Sequence, residues 1–264
     1  MISVEGSGNL SEKISLWVDG LKIVGEVYYP RKMPGLQPAL CICHGIPAAP
    51  ANPRNRGYPL LAERFAAEGF ITCIFNFRGT GESEGNLDLL GWTRDLQSVV
   101  DYIIQLDGVD LSRISLIGFS GGAATSAYVT ARDQRISALV TCACPAEFSI
   151  FTTGERLAAF LDQCRSVGTI RDDDFPRSIA EWGDHLRQVN PMSSIEKVSP
   201  RPLLMIHGEN DDLIPPSHAQ RLYEKAEEPK ELVMIPGGEH QLRTNETAIR
   251  TAVNWLKRLN DLGN

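Results

Sequence analysis

The chain has 264 residues, with 26 basic and 33 acidic side chains and a formal net charge of −7 at pH 7. A single α/β domain of this length buries about three quarters of its unfolded surface, so it needs no disulfide or metal staple. With 42% hydrophobic and 22% charged residues it is not a disordered or collagen-like chain. The acidic balance argues against nucleic-acid binding, which needs a clustered basic face.

At the N-terminus, Met1-Ile-Ser-Val-Glu-Gly lacks both a basic n-region and an apolar h-region. No export signal is therefore expected, and the expected location is cytoplasmic. In that compartment Cys41, Cys43, Cys73, Cys142, Cys144 and Cys164 are expected as reduced thiols. Ile14 to Val18, Asp19-Gly20 and Leu21 to Tyr29 read as an antiparallel hairpin, because Asp-Gly is a favoured two-residue turn. The uncharged run from Met33 to Pro53 holds Pro34, Pro38, Pro47, Pro50 and Pro53, so it is not a membrane-spanning helix. Ile114 to Ala131 is also uncharged but is broken by Gly118, Ser120, Gly121 and Gly122. It reads as a strand, a tight turn and a buried helix.

Short β-rich runs fall at Ala39–Cys43, Phe70–Phe77, Ile114–Phe119, Ile136–Cys144, Leu203–His207 and Glu231–Pro236. Helical patterns separate most of them. In Asp88 to Leu106 the apolar positions 89, 92, 96, 99, 100, 103 and 104 form one stripe, and Ala248, Ile249, Ala252, Val253, Leu256 and Leu259 form another. Strands alternating with helices imply a mostly parallel sheet covered on both faces. The exception is the stretch of about 57 residues between Cys144 and Pro202, where an αβ connection normally needs only a few beyond its helix. Its scattered apolar residues, among them Phe148, Phe151, Phe160 and Trp182, predict a largely helical insertion acting as a lid.

Cys41-Ile-Cys43-His44 is the one cluster that suggests a metal. On a continuing strand the two thiols share a face and His44 points away, which is poor tetrahedral geometry, so no metal is expected. Gly79, Gly81 and Gly85 follow a strand, but the third glycine comes one residue too late for a dinucleotide fingerprint. No cofactor is expected.

Gly118-Phe119-Ser120-Gly121-Gly122 sits between an apolar strand and a small-residue helix, the context that gives G-x-S-x-G its meaning. Gly118 and Gly122 let the turn close, and the serine is lifted to the helix N-terminus, where free N–H groups favour developing negative charge. A serine nucleophile needs a base. Of His44, His185, His207, His218 and His240, the last lies in a Gly-Gly-Glu-His loop just past the final strand. A base needs an anion, and Glu209, Asp211 and Asp212 follow the penultimate strand.

Taken in order, Ser120, the His44-Gly45 turn, the Phe77-Arg78-Gly79-Thr80-Gly81-Glu82-Ser83 loop, the stretch from His207 to Pro215 and the terminal Gly-Gly-x-His resemble the α/β-hydrolase superfamily. Within it the chain is similar to serine hydrolases of the dienelactone hydrolase, feruloyl esterase and prolyl oligopeptidase type. The resemblance implies a mostly parallel eight-stranded sheet with helices on both faces and a mainly helical cap after strand 6. Residues 1–144 and 201–264 would form the core and 145–200 the cap. It implies Ser120 as nucleophile, His240 as base and Asp211 as acid, with Asp212 as the competing choice. Backbone N–H groups of Ile46 and Gly121 would form the oxyanion hole. Ser120 in place of an aspartate excludes the dehalogenase and epoxide-hydrolase chemistry of some relatives, and the missing His-Gly-Gly-Gly run speaks against lipase activity. The expected function is hydrolysis of a small to medium ester or thioester. The alternatives are a peptidase or amidase, or a binding protein that keeps the fold without turnover.

Overall fold

The computed structural model describes residues 10–50, 57–153 and 155–261. Residues 1–9, which hold the N-terminal segment assessed for an export signal, and Pro53 lie outside them. Asp19-Gly20 closes the hairpin between β1 (Leu10–Val18) and β2 (Leu21–Tyr29), with Val18 paired to Leu21. β3 (Gln37–Cys43), β4 (Ile71–Phe75), β5 (Val109–Phe119), β6 (Ile136–Cys142), β7 (Leu203–Gly208) and β8 (Lys230–Ile235) complete one sheet in the order β1-β2-β4-β3-β5-β6-β7-β8. β1, β2 and β4 pair antiparallel and all other neighbours are parallel. Every residue of β3 is buried, as expected of a strand covered on both faces.

The pleat divides the core in two. Cys41, Cys43, Leu116 and Leu139 face one cluster; Leu40, Ile42, Ile117 and Val140 face the other. α2 (Leu89–Ile103) and α3 (Gly121–Thr130) cover the first face through Trp92, Leu96, Val99, Ala123, Ala124 and Ala127, and α7 (Ser217–Lys225) adds Leu222. α1 (Gly57–Ala67) and α8 (Glu246–Leu259) cover the second, with Phe65 and Trp255 among their buried residues. The α2 stripe is buried as its periodicity predicts, and Asp88 caps the helix by accepting the Gly91 N–H at 3.0 Å.

Strand boundaries differ modestly from the sequence expectation. β5 starts at Val109 rather than at Ile114, where the apolar run begins, because buried Val109 pairs with Gln37 before the register shifts to Ala39 and Ile114. β6 stops at Cys142 because Ala143 takes φ +51° and turns the chain away. Between β6 and β7 come α4 (Ser149–Thr152), α5 (Arg156–Ser166), α6 (Ile179–Gln188) and two short 3₁₀ turns, so the insertion is mainly helical. Among the described residues no helix is long and apolar enough to cross a membrane.

Candidate active site

β3 and β5 are neighbours although β4 comes between them in sequence. The strand order therefore reverses there, and the crevice past their carboxyl ends is where open α/β sheets bind ligands. Ser120 occupies that position at the end of β5, as the residue preceding α3, with φ +51° and ψ −121°. The turn closes only because its flanks lack side chains. A Cβ on Gly118 would lie 2.5 Å from the Ala123 Cα, and one on Gly122 would lie 2.2 Å from the His44 carbonyl oxygen.

The loops after β7 and β8 bring two more side chains to this serine. Gly208 presses on Gly238, where a Cβ would meet the Gly238 carbonyl oxygen at 2.2 Å, and the Asn210 N–H donates to that oxygen at 2.8 Å. Held together in this way, the loops place His240 Nδ1 2.8 Å from Asp211 Oδ2 and His240 Nε2 3.0 Å from Ser120 Oγ. A carboxylate only accepts, so Nδ1 carries the proton and Nε2 is left to accept from the serine hydroxyl. Asp211 Oδ1 accepts the N–H groups of Leu213 (3.1 Å) and Ile214 (2.8 Å). Burial alone would raise the Asp211 pKa. The His240 and Ile214 hydrogen bonds, with the imidazoles of His240 and His207 nearby, hold it below the usual carboxylate range. The competing Asp212 and also Glu209 are exposed.

Ile46 and Gly121 are also adjacent. A Cβ on Gly121 would sit 2.8 Å from Ile46 Cγ1 and 3.6 Å from the Ile46 nitrogen. The peptide between Gly45 and Ile46 is oriented by His44, whose Nδ1 lies 2.7 Å from the Gly45 oxygen while its Nε2 accepts the Phe77 N–H at 3.2 Å. Burial pushes this imidazole down to about 4, so it is neutral near pH 7. His44 does not face away from Cys41 and Cys43 as a continuing strand would require. β3 ends at Cys43, and the ring packs edge-on against Phe77 and Trp92, members of the cluster that holds both thiols.

An open cleft of about 610 Å³ lies between the acid loop (Asn210, Asp212, Leu213) and the histidine loop (Gly237, Glu239, Gln241), with His240 in its wall. The glycine-rich loop after β4 does structural work. Arg78 donates to Asp95 with two guanidinium nitrogens and its backbone N–H, and Trp92 Nε1 donates to the Arg78 carbonyl. Residues 81–88 also dock the insertion. Asn86 Oδ1 accepts the N–H groups of Arg171 and Asp172, while the Leu87 N–H donates to the Thr169 carbonyl and the Leu87 carbonyl accepts Trp182 Nε1–H. The Arg171 guanidinium donates to the carbonyls of Ser83 and Gly81. No local pattern signals this anchoring role of Asn86, nor the part of Gly238 in joining the two loops.

The family model for the alpha/beta hydrolase fold matches residues 38–201. The chain belongs to the α/β-hydrolase family. A second family model, serine aminopeptidase S33, matches residues 177–248. Among curated relatives, YfhR of Escherichia coli (strain K12) is 32% identical over 171 residues, which is 65% of this chain and 53% of YfhR. The chain thus aligns with about half the length of that relative. PA2218 of Pseudomonas aeruginosa is 27% identical, over 84% of this chain and 72% of its own. The crystal structure of PA2218 superposes with a TM-score of 0.76, covering 96% of this chain and 94% of that one at 23% identity. Est1E from Butyrivibrio proteoclasticus with bound ferulic acid gives 0.72 at 22% identity, covering 93% and 97%. At these identities the structural likeness establishes the fold alone.

Proposed function

We propose that the protein is a serine hydrolase that cleaves a carboxylic ester or thioester of small to medium size without a cofactor. The observation that carries this reading is the continuous chain from Ser120 Oγ through His240 to Asp211, at 3.0 and 2.8 Å. In this mechanism His240 Nε2 takes the serine proton as Oγ attacks the acyl carbonyl. Asp211 fixes the imidazole tautomer and stabilises the imidazolium. The backbone N–H groups of Ile46 and Gly121 receive the oxyanion. His240 returns the proton to the leaving group, then activates a water that releases the acyl chain. Residues 145–200 act as the cap that shapes the acyl site.

Ferulic acid in Est1E supports an ester substrate. Aminopeptidase activity is the second reading, favoured by the S33 match across the acid and histidine loops. Fluorophosphonate labelling with peptide mapping tests the proposal, since the probe needs only an activated serine. One adduct on Ser120, lost in Ser120→Ala and in His240→Ala, is expected. Folded protein that takes no label overturns the hydrolase reading and favours a ligand-binding protein. Paired p-nitrophenyl ester and aminoacyl p-nitroanilide panels then separate esterase from aminopeptidase.

A further inference from the structure

His207 is a buried imidazole with no part in the mechanism above. It is 1% exposed and is the penultimate residue of β7, on the same face as Met205. Its Nε2 lies 2.8 Å from the carbonyl oxygen of Ile214, which only accepts, so the ring proton is on Nε2. That same nitrogen is 3.4 Å from Asp211 Oδ2, the oxygen that receives His240. The small void beside the ring, walled by Thr141, Cys144, Met205, Ala219 and Leu222, has no room for a water molecule.

The consequences for Asp211 follow from counting donors. A carboxylate offers about four acceptor directions. Leu213 and Ile214 N–H groups take two on Oδ1, and His240 takes one on Oδ2. The remaining side of Oδ2 meets the Nε2 edge of the His207 ring, whose one N–H is given to Ile214. At 3.4 Å this is an electrostatic contact rather than a full hydrogen bond, but it lies in a site with both side chains fully enclosed (1% and 0% exposed), where screening is weak. The Asp211 carboxylate therefore sits between two imidazoles, one that gains a proton during turnover and one that remains neutral.

We infer that His207 is a positioning residue: it pins the end of the acid loop through Ile214 and moderates the hold of Asp211 on the His240 imidazolium. This inference rests on the triad reading above. The positive edge of a neutral ring beside Oδ2, its N–H given to Ile214, makes the carboxylate less basic, so His240 releases its proton more readily at the end of each half-reaction. Burial keeps His207 itself below its ordinary pKa, which preserves the neutral tautomer. The other groups facing it are Asp211 on the acid loop, His240 on the histidine loop and His218 on α7. His218 is itself buried, accepts the Ala146 N–H on Nδ1 at 3.0 Å, and has Arg221 and Glu147 beside it, 2.8 Å apart.

The test compares kcat/KM against pH for p-nitrophenyl acetate in the parent, His207→Phe and His207→Gln. Phenylalanine removes the donor. Glutamine places an amide N–H near the position of Nε2. The acid limb of His207→Phe is expected about half a unit higher than that of the parent, at the low end of what one neutral hydrogen bond gives. His207→Gln is expected to restore the parent limb. If the His207→Phe limb coincides with the parent while only its Tm falls, His207 is a purely structural residue and the inference fails. Should His207→Phe not fold, ¹⁵N-imidazole spectra of the unaltered protein decide. The assigned His207 Nε2 signal should shift as His240 titrates, and a His207 signal that stays still overturns the coupling. A protein that takes no fluorophosphonate defeats the triad reading, and the ¹⁵N spectra, which need no turnover, then decide the His207 contact by themselves.

Discussion

Ser120→Gly should make the protein inactive and, relative to Ser120→Ala, more stable. Ser120 holds φ +51° and ψ −121°, a conformation that costs a residue with a Cβ of order 1–3 kcal/mol. Both substitutions remove the hydroxyl and its 3.0 Å contact with His240, so that loss cancels in the comparison. Only glycine also removes the Cβ and releases the strain. Against this stands the greater freedom of glycine in the unfolded chain, about 0.5–1 kcal/mol. The net advantage of Ser120→Gly over Ser120→Ala is then roughly 0.5–2 kcal/mol. At about 2–4 °C per kcal/mol for domains near this size, the glycine variant should melt about 1–8 °C higher. Thermal unfolding of the two variants in the same buffer measures the difference. If Ser120→Gly melts at or below Ser120→Ala, the nucleophile turn stores no usable strain and the account of the elbow is wrong.

Three further outcomes follow from the geometry. Asp211→Asn should lower kcat by orders of magnitude, about 10⁴ in the serine-protease precedent, while Asp212→Asn, at an exposed position, should leave it within a few-fold; steady-state kinetics that reverse this order would place the acid one residue on. Gly122→Ala drives a Cβ to within 2.2 Å of the His44 carbonyl oxygen, so both Tm and fluorophosphonate labelling should fall, and an unchanged labelling rate would contradict the tight packing of the elbow on β3. Acid should destabilise the fold through His44. Burial lowers its folded pKa from 6.5 to about 4, so the unfolded chain binds a proton that the folded chain refuses. The stability is intact above about pH 6.5 and is lost as pH falls towards 4, about 2–3 kcal/mol between pH 7 and 4.5. Urea unfolding at those two pH values should show this loss in the parent and a smaller one in His44→Asn, which keeps a donor near Nδ1. Equal losses in both would assign the acid sensitivity to other groups.

What was legible in the sequence was what is local. The hairpin turn at Asp19-Gly20, the α2 stripe and the small-residue α3 all depend on periodicity or turn chemistry within a few residues, and each forms as expected. Ser120, His240 and an acid after β7 stand out as candidates because each lies at a strand end followed by a short loop, and the family resemblance supplies their order. The choice between Asp211 and Asp212 could not be made from local chemistry, since both are carboxylates in one acidic turn. It depends on which one turns inward to collect the N–H groups of Leu213 and Ile214. The turn at His44-Gly45 lies just past β3, as its place after the apolar run implies, but the packing of its ring against Phe77 and Trp92 depends on distant residues.

The anchoring of the insertion lies further from the reach of sequence. Asn86 Oδ1 accepts the Asp172 N–H across 86 residues, and Arg171 donates to the Gly81 carbonyl across 90. Neither end carries a periodic signal, because each interaction satisfies irregular backbone that no helix or strand pairs. That irregularity also has a mechanical consequence. The 81–88 loop is held to α2 through Arg78, Asp95 and the Asp88 cap, so the 169–185 part of the insertion is attached to the core rather than suspended above it. His185 adds a contact to Asp88 at 2.9 Å. In the other segment, α4 and α5, Phe151 and Phe160 lie 5.1 Å apart and lead to Trp182. On the proposed esterase and cap reading, substitutions that change acyl preference should concentrate at Phe151 and Phe160, whereas Asn86→Ala should lower Tm before it alters specificity.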